Sequence, residues 1–246
     1  MALPNKPKGE LLAVVDPEIV EMDVDALIIG GGMAACGTAF EIKKWAPEDL
    51  KILLVDKASL ERSGAVAQGL SAINTYVGEN PIKDYVKMVR NDLMGVIRED
   101  LVYDCGRHVD ESVKLFEEWG LPVWKKDADG ENIDGAKPAP TLREGGTPVR
   151  TGKWQIMING ESYKCIVAEP AKKALGEENC LERIFIVKML LDKNKENTVA
   201  GAVGFSTREN KVHVFKCKTA MVACGGAVNI FRPRSTGEGK GRAWYP

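Results

Sequence analysis

The sequence has no apolar run long enough to cross a bilayer. Its longest stretches, such as Ala26 to Ile29 and Ile52 to Val55, are a few residues each, against the roughly 20 that a membrane-spanning helix needs. Charge of one sign is also missing. Lys and Arg number 34 against 35 Asp and Glu, a formal net charge of -1, and no basic stripe or polybasic tail stands out, so neither nucleic acid nor an anionic membrane is an expected partner. Histidine is down to two residues. His108 falls on an expected helix and His213 alternates within an expected strand, and neither has a nearby Ser, Cys or ligand partner that suggests catalysis, so both are read as structural. The six cysteines (Cys36, Cys105, Cys165, Cys180, Cys217, Cys224) include no C-x-x-C pair. That leaves out the usual ligand spacing of a local zinc or iron–sulfur site and fits reduced thiols packed as small apolar side chains. Met1 to Glu10 has Pro4, Pro7 and Gly9 where a secretory signal has its apolar core, so the expectation is a cytoplasmic protein.

With 246 residues and 44% hydrophobic content, the chain can bury a sizeable core, and one large domain is expected. Val24 to Ile29 is a β-branched, apolar run followed by three glycines, as in a buried parallel strand. From Met33 to Trp45 apolar residues recur at helical spacing (Met33, Cys36, Phe40), and Pro47 limits the helix. A second buried strand, Lys51 to Val55, ends at Asp56. Strand, glycine turn, helix and strand make a βαβ unit. Pro81 to Ile97 and Glu99 to Trp119 read as two amphipathic helices, the second with Leu101, Cys105, Val109, Val113 and Phe116 on one face and a stop at Gly120. Asp127 to Thr151 is rich in Gly, Pro, Asp and Lys and reads as a long loop. Trp154 to Ile158 reads as a strand and Ser162 to Leu175 as a helix weakened by Pro170. Arg183 to Leu191, Val199 to Ser206, Lys211 to Phe215 and Thr219 to Ala223 are β-rich runs that a meander returning to the main sheet would explain.

Gly30-Gly31-Gly32-Met33-Ala34-Ala35 matches G-x-G-x-x-[GA] directly after a buried strand and at the mouth of a helix. Gly30 permits the tight turn, Gly32 lets backbone approach a pyrophosphate, and Ala35 is small enough for close helix packing, while the helix N-terminus offers N–H groups and positive potential. Asp56 is placed to accept hydrogen bonds from an adenosine ribose and would disfavour a 2′-phosphate. A surface-turn aspartate would look the same in isolation. These two features alone do not separate NAD from FAD.

Four segments in order do separate them. After the glycine turn come Arg62-Ser63-Gly64-Ala65-Val66-Ala67-Gln68-Gly69-Leu70, then Val222-Ala223-Cys224-Gly225-Gly226, then Thr236-Gly237-Glu238-Gly239. They resemble the pyrophosphate and isoalloxazine loop, the A-T-G-G turn and the T-G-D-G signature of the fumarate reductase and succinate dehydrogenase flavoprotein superfamily. Several of its members carry a flavin-linked histidine where this sequence has Gly64, so the resemblance implies non-covalent FAD. Within the superfamily, Gly69 to Tyr76, Trp154 to Lys164, and Pro233 to Tyr245 are most similar to adenylylsulfate reductase alpha subunits. The resemblance covers nearly the whole chain from Met22 onward.

The resemblance implies an α/β fold: a Rossmann-like FAD-binding domain with a parallel sheet and an added β-meander. Its cofactor set is Gly30, Gly32, Met33, Ala34, Ala35, Asp56, Lys57, Ser63, Gly64, Ala65, Gln68, Gly69, Leu70, Asn74, Val187, Ala223, Cys224 and Gly225. It implies interconversion of adenylylsulfate with sulfite and AMP: reduced flavin attacks sulfur, AMP leaves and the flavin N5–sulfite adduct breaks down. Asn74 matches the family's active-site asparagine; an amide does not titrate usefully, so its role is hydrogen bonding at the reacting centre. Taken by itself, Asn74 reads more readily as a turn-capping side chain; the motif match reverses that preference. Arg232, Arg234 and Arg242 are suited to an anionic group, but an exposed arginine-rich turn has the same composition. Electrons would come from a partner iron–sulfur beta subunit carrying two [4Fe–4S] clusters. Residues 1–21 read as an N-terminal extension and 22–246 as the first, incomplete part of the FAD domain. Family members continue with capping and helical domains, so the chain is expected to be a fragment, inactive alone. A fumarate reductase, succinate dehydrogenase or aspartate oxidase relative, or a non-catalytic FAD-binding module, are the alternatives.

Overall fold

The computed structural model describes residues 16–68, 72–74, 82–120, 155–157 and 160–226. The expected loop Asp127 to Thr151, Trp154, Gly69, Leu70, the three arginines 232, 234 and 242, and the T-G-E-G segment lie outside those residues. In chain order the elements are β1 (Glu18–Ile29), α1 (Met33–Trp45), β2 (Ile52–Val55), β3 (Ala72–Asn74), α2 (Ile82–Asp92), α3 (Glu99–Arg107), α4 (Val109–Glu118), β4 (Gln155–Met157), α5 (Gly160–Leu175), β5 (Cys180–Leu181), β6 (Ile184–Leu191), β7 (Val199–Ser206) and β8 (Lys211–Val222). Two short 3-10 turns, Leu60–Arg62 and Ala65–Gln68, follow β2.

Six strands form one sheet in the order β5-β2-β1-β8-β7-β6, and β3 pairs with β4 in a separate two-stranded ladder. β1 runs parallel to β2 and β8, β2 is parallel to β5, and the β6-β7-β8 meander is antiparallel. The two edge strands β5 and β6 are joined by Glu182 and Arg183 alone. A link that short forces the sheet to curl upon itself, and Arg183 takes the turn at φ 63°. The amide of Ile184, at the start of β6, donates to the carbonyl of Asp56 at 2.9 Å.

Strand alternation divides the core between the two faces. Ala26, Ile28, Ile52 and Leu54 pack with Ala35, Cys36 and Ala39 of α1 and with Tyr163, Val167, Ala168 and Ala171 of α5. Leu27, Ile29, Leu53 and Val55 pack inside the curl with Ile184, Ala202, Phe215 and Cys217. Each fully buried Leu or Ile contributes about 1.5–3 kcal/mol, which is why these strands read as unbroken apolar runs. α5 continues through Pro170. The interior proline costs about 3 kcal/mol, which burial of Val167, Ala168 and Ala171 on either side of it offsets.

Several sequence expectations need correction. β1 begins at Glu18, so Glu18 to Glu21 of the expected extension are strand, paired with β8 from Lys211. β8 is one strand, not two: Lys216 and Lys218, which looked like a break, sit on the exposed side, where they pair with Glu21 at 2.8 Å and Asp25 at 2.6 Å. The single helix expected over Glu99 to Trp119 breaks at His108, whose φ and ψ are -111° and 4°. The break splits the supposed apolar stripe: Val109 and Phe116 pack on the core, whereas Leu101 is 52% exposed and Cys105 is exposed. Gly106 lies against α2, where an added Cβ would meet Ile82 at 3.0 Å.

Candidate functional site

The sheet ends in a cleft where β1 and β2 stop side by side, the position at which open α/β sheets bind ligands. Gly30 leaves β1 at φ +115°. Its amide donates to Val55 O at 2.9 Å, and a Cβ there would stand 2.4 Å from the carbonyl oxygen of Ala223. Gly31 is tighter than the sequence motif suggests, because an added Cβ would lie 2.5 Å from Cγ of Asp56. Gly32 is different. It is the N-cap of α1 at φ -74°, and its nearest prospective neighbour is Gly64 Cα at an ordinary 3.7 Å. The fold itself has room for a side chain at position 32.

α1 opens with no acidic residue in its first turn and no side-chain cap bond. Its leading N–H groups and dipole therefore face the cleft uncompensated by the chain, which suits an anion. Ala35 is buried against α5 rather than in the cleft; its small size brings the two helices together.

The segment after β2 folds back over this turn. Asp56 is 4% exposed and Ser63 6%. The Asp56 carboxylate accepts from the Ala58 amide at 3.0 Å and from the Ser63 hydroxyl, both at Oδ2. Gly64, at φ +86°, crosses Gly32 so closely that a Cβ on Gly64 would meet Gly32 Cα at 2.9 Å. The loop is anchored from behind by Glu182, which accepts from the Leu60 amide at 2.7 Å, and by the ammonium of Lys164, which donates to Leu60 O and lies 3.5 Å from Cys36 Sγ.

The third wall is the turn after β8. Ala223 N donates to Ile29 O at 2.8 Å, Cys224 Sγ lies 3.6 Å from the same carbonyl, and Gly225 turns at φ +80°. Burial pushes the Cys224 thiol above its ordinary value; Lys57 opposes that and Asp56 adds to it. Lys57 extends over the Phe185 ring, 5.7 Å from its centroid.

Together these walls enclose about 320 Å³, within the usual size of ligand pockets. Of the residues expected to hold the cofactor, Gly30, Gly32, Met33, Ala34, Asp56, Lys57, Ser63, Gly64, Ala65, Ala223, Cys224 and Gly225 line it. Gly31, Val66, Ile184, Phe185 and Ile186 line it as well and were missed; the last three reach it only because the sheet curls. Val187 is 49% exposed and sits next to that wall, at a β-bulge where Ile186 and Lys188 oppose Gly204 and Val203 and no residue opposes Val187. Gln68 ends the second 3-10 turn, and Asn74 ends β3 opposite Gln155. His108 is exposed, 3.8 Å from Glu111, and His213 is buried against Phe215, both outside the cleft lining.

The curled sheet, glycine turn and enclosing loops agree with the comparison to known proteins. The profile described as FAD binding domain matches residues 25–242. The chain belongs to this FAD-binding family. It is 65% identical over 250 residues to the adenylylsulfate reductase subunit alpha of Megalodesulfovibrio gigas, covering 99% of this chain and 38% of that protein. The solved adenylylsulfate reductase of Archaeoglobus fulgidus superposes with a TM-score of 0.75 at 53% identity, over 94% of this chain and 35% of that one. A solved adenosine-5-phosphosulfate reductase in complex with sulfite, as a covalent adduct, gives 0.74 at 54% identity, over 94% and 34%. The chain thus spans a little over a third of the length of these relatives.

No helix among the described residues is long and apolar enough to cross a membrane.

Proposed function

We propose that this chain is the FAD-gripping part of an adenylylsulfate reductase alpha subunit that interconverts adenylylsulfate with sulfite and AMP. The observation that carries the reading is the cleft itself. Twelve of the residues marked by sequence converge on it, in a chain 65% identical to an adenylylsulfate reductase alpha subunit.

The donor set fits FAD. The uncapped start of α1, with no acidic residue in its first turn, receives the pyrophosphate, and Gly32 leaves the space for it. Asp56 takes the adenosine ribose. The bulge at Val187 frees backbone groups for the adenine edge. When bound, FAD supplies the two-electron chemistry at sulfur. Asn74 hydrogen-bonds at the reacting centre, holding charge without exchanging a proton. Gly64 has no side chain to link, so FAD is held non-covalently. An iron–sulfur beta subunit with [4Fe–4S] clusters delivers the electrons, in the cytoplasm.

The test is a sulfite titration of the FAD-loaded alpha subunit with its beta partner, following flavin absorbance with and without AMP. Bleaching by sulfite together with AMP-dependent electron transfer is expected. A bound flavin that ignores both and responds instead to fumarate or succinate would overturn the proposal in favour of a dicarboxylate oxidoreductase.

A further inference from the structure

We propose that Ser63 is a positioning residue for the cofactor: it acts on FAD through Asp56, by fixing the carboxylate that receives the adenosine ribose. The proposal rests on the reading of Asp56 as the ribose acceptor and goes one residue beyond it.

Asp56 is held on three sides. Below, its Cγ lies so close to the Gly31 backbone that no Cβ fits between them. Its Oδ2 is engaged by the Ala58 amide, two residues on in the same turn, and by the hydroxyl of Ser63, which belongs to the returning loop. A carboxylate has two oxygens and about four lone-pair directions. Two donors on one oxygen fix the plane of the group and leave the other oxygen as the main acceptor for a diol. The Ala58 bond is local to the turn after β2. The Ser63 bond is the one that makes the carboxylate's orientation depend on the loop that also carries Gly64 across Gly32. Ribose grip and returning loop are therefore coupled through the Ser63 hydroxyl, buried along with its partner, beside the direct packing of Asp56 on Gly31.

Ser63 also lines the cleft, so the competing view is that its hydroxyl touches a phosphate oxygen directly. The two views differ in a double-mutant cycle. FAD affinity is measured by quenching of flavin fluorescence for the wild-type chain, Ser63→Ala, Asp56→Asn and the double variant, with FMN, which lacks the adenosine, as a second ligand. Ser63→Ala is expected to weaken FAD binding about 5- to 10-fold, the scale of one ordinary hydrogen bond, and Asp56→Asn at least as much. In the Asp56→Asn background the further loss from Ser63→Ala should be under about 2-fold, and Ser63→Thr, which keeps the hydroxyl, should restore wild-type affinity to within about 3-fold. FMN affinity should be unchanged by Ser63→Ala.

Additive losses, or an equal loss with FMN, would overturn the positioning role and assign Ser63 to the phosphate. Normal FAD binding by Asp56→Asn would overturn the ribose reading beneath it, a result separate from the cycle. A wild-type chain that binds no FAD would overturn the functional proposal and this one together. Far-UV circular dichroism checks that each variant is folded, and Ser63→Cys or Ser63→Gly completes the cycle if Ser63→Ala is not.

Discussion

The three consecutive glycines of the turn meet different surroundings, and alanine at each should separate folding from cofactor binding. At position 31 a methyl would sit 2.8 Å from Asp56 Oδ2 and 2.5 Å from its Cγ, the latter about 1.0–1.5 Å inside the usual 3.5–4.0 Å carbon–carbon contact. Asp56 cannot retreat without loosening its bonds to Ala58 and Ser63. Overpacking together with a weakened charged hydrogen bond puts Gly31→Ala at about 2–4 kcal/mol of lost stability. Gly30→Ala should cost at least as much, because both the φ of +115° and the backbone oxygen 2.4 Å away oppose it. Gly32→Ala has neither problem, with φ -74° and the nearest atom at 3.7 Å. An N-cap glycine replaced by alanine costs up to about 1 kcal/mol. Its methyl, however, occupies the approach to the α1 amides, and FAD affinity should fall about 100-fold or more, the equivalent of two charge-assisted bonds. Urea denaturation of the cofactor-free variants and flavin-fluorescence titration measure the two quantities. The reasoning is refuted if Gly32→Ala destabilises the fold as much as Gly31→Ala, or if it binds FAD within threefold of wild type.

Three further outcomes follow from particular contacts. Gly64→His should lose FAD affinity and yield no acid-stable flavin, since φ +86° and the 2.9 Å approach to Gly32 bar a side chain there; flavin that stays with acid-precipitated protein would contradict this. Lys164 is 1% exposed, and Lys164→Ala strips the donor from Leu60 O and opens a cavity, for about 2–4 kcal/mol, so an unchanged urea midpoint would be a failure. Burial, with Lys211 adding to it, holds the His213 pKa below its usual 6.5. The unfolded chain therefore binds the extra proton first, and stability drops as pH falls through 6.5 toward the folded value; His213→Phe should flatten that part of the stability profile, and identical profiles would exclude the effect.

What was legible in the sequence was local. The turn from β1 into α1 and the stop at Asp56 lie within one βαβ stretch, where glycine spacing and apolar runs respond to contacts a few residues apart; α1 runs from Met33 to Trp45 as its periodicity predicts. The hidden parts depend on distant partners. Ile184, Phe185 and Ile186 form a cleft wall because the two-residue link from β5 curls the sheet, and no pattern within β6 marks that. Gly31 fills the variable place in the motif, yet it is the glycine pressed against Asp56. Lys216 and Lys218 resembled a strand break because their carboxylate partners lie about 190 residues earlier, on β1. The helix through His108 was overextended for a related reason: the apolar spacing continued, while packing of Gly106 against α2 sent the two halves to different surroundings.

The cleft also implies that binding and chemistry can be separated. On the proposed reading, the α1 start, Asp56 and the Ser63–Gly64 loop grip the adenosine and pyrophosphate, which take no part in the reaction at sulfur. Asn74, on the separate β3-β4 ladder, is assigned to the reacting end. Asn74→Ala should therefore leave FAD affinity within about threefold of wild type, because on the proposed reading the amide is one contact among many. Its effect should fall on the flavin's response to sulfite. Removing one donor aimed at developing charge costs about 10²–10³ in rate, so stopped-flow bleaching of the FAD-loaded alpha subunit by sulfite should slow by that factor. Variants at Gly32 should do the reverse, lowering occupancy while the flavin that remains bound reacts at the wild-type rate. If Asn74→Ala instead sheds FAD and its residual flavin reacts normally, the asparagine belongs to the grip, and the reacting centre must be sought among other residues.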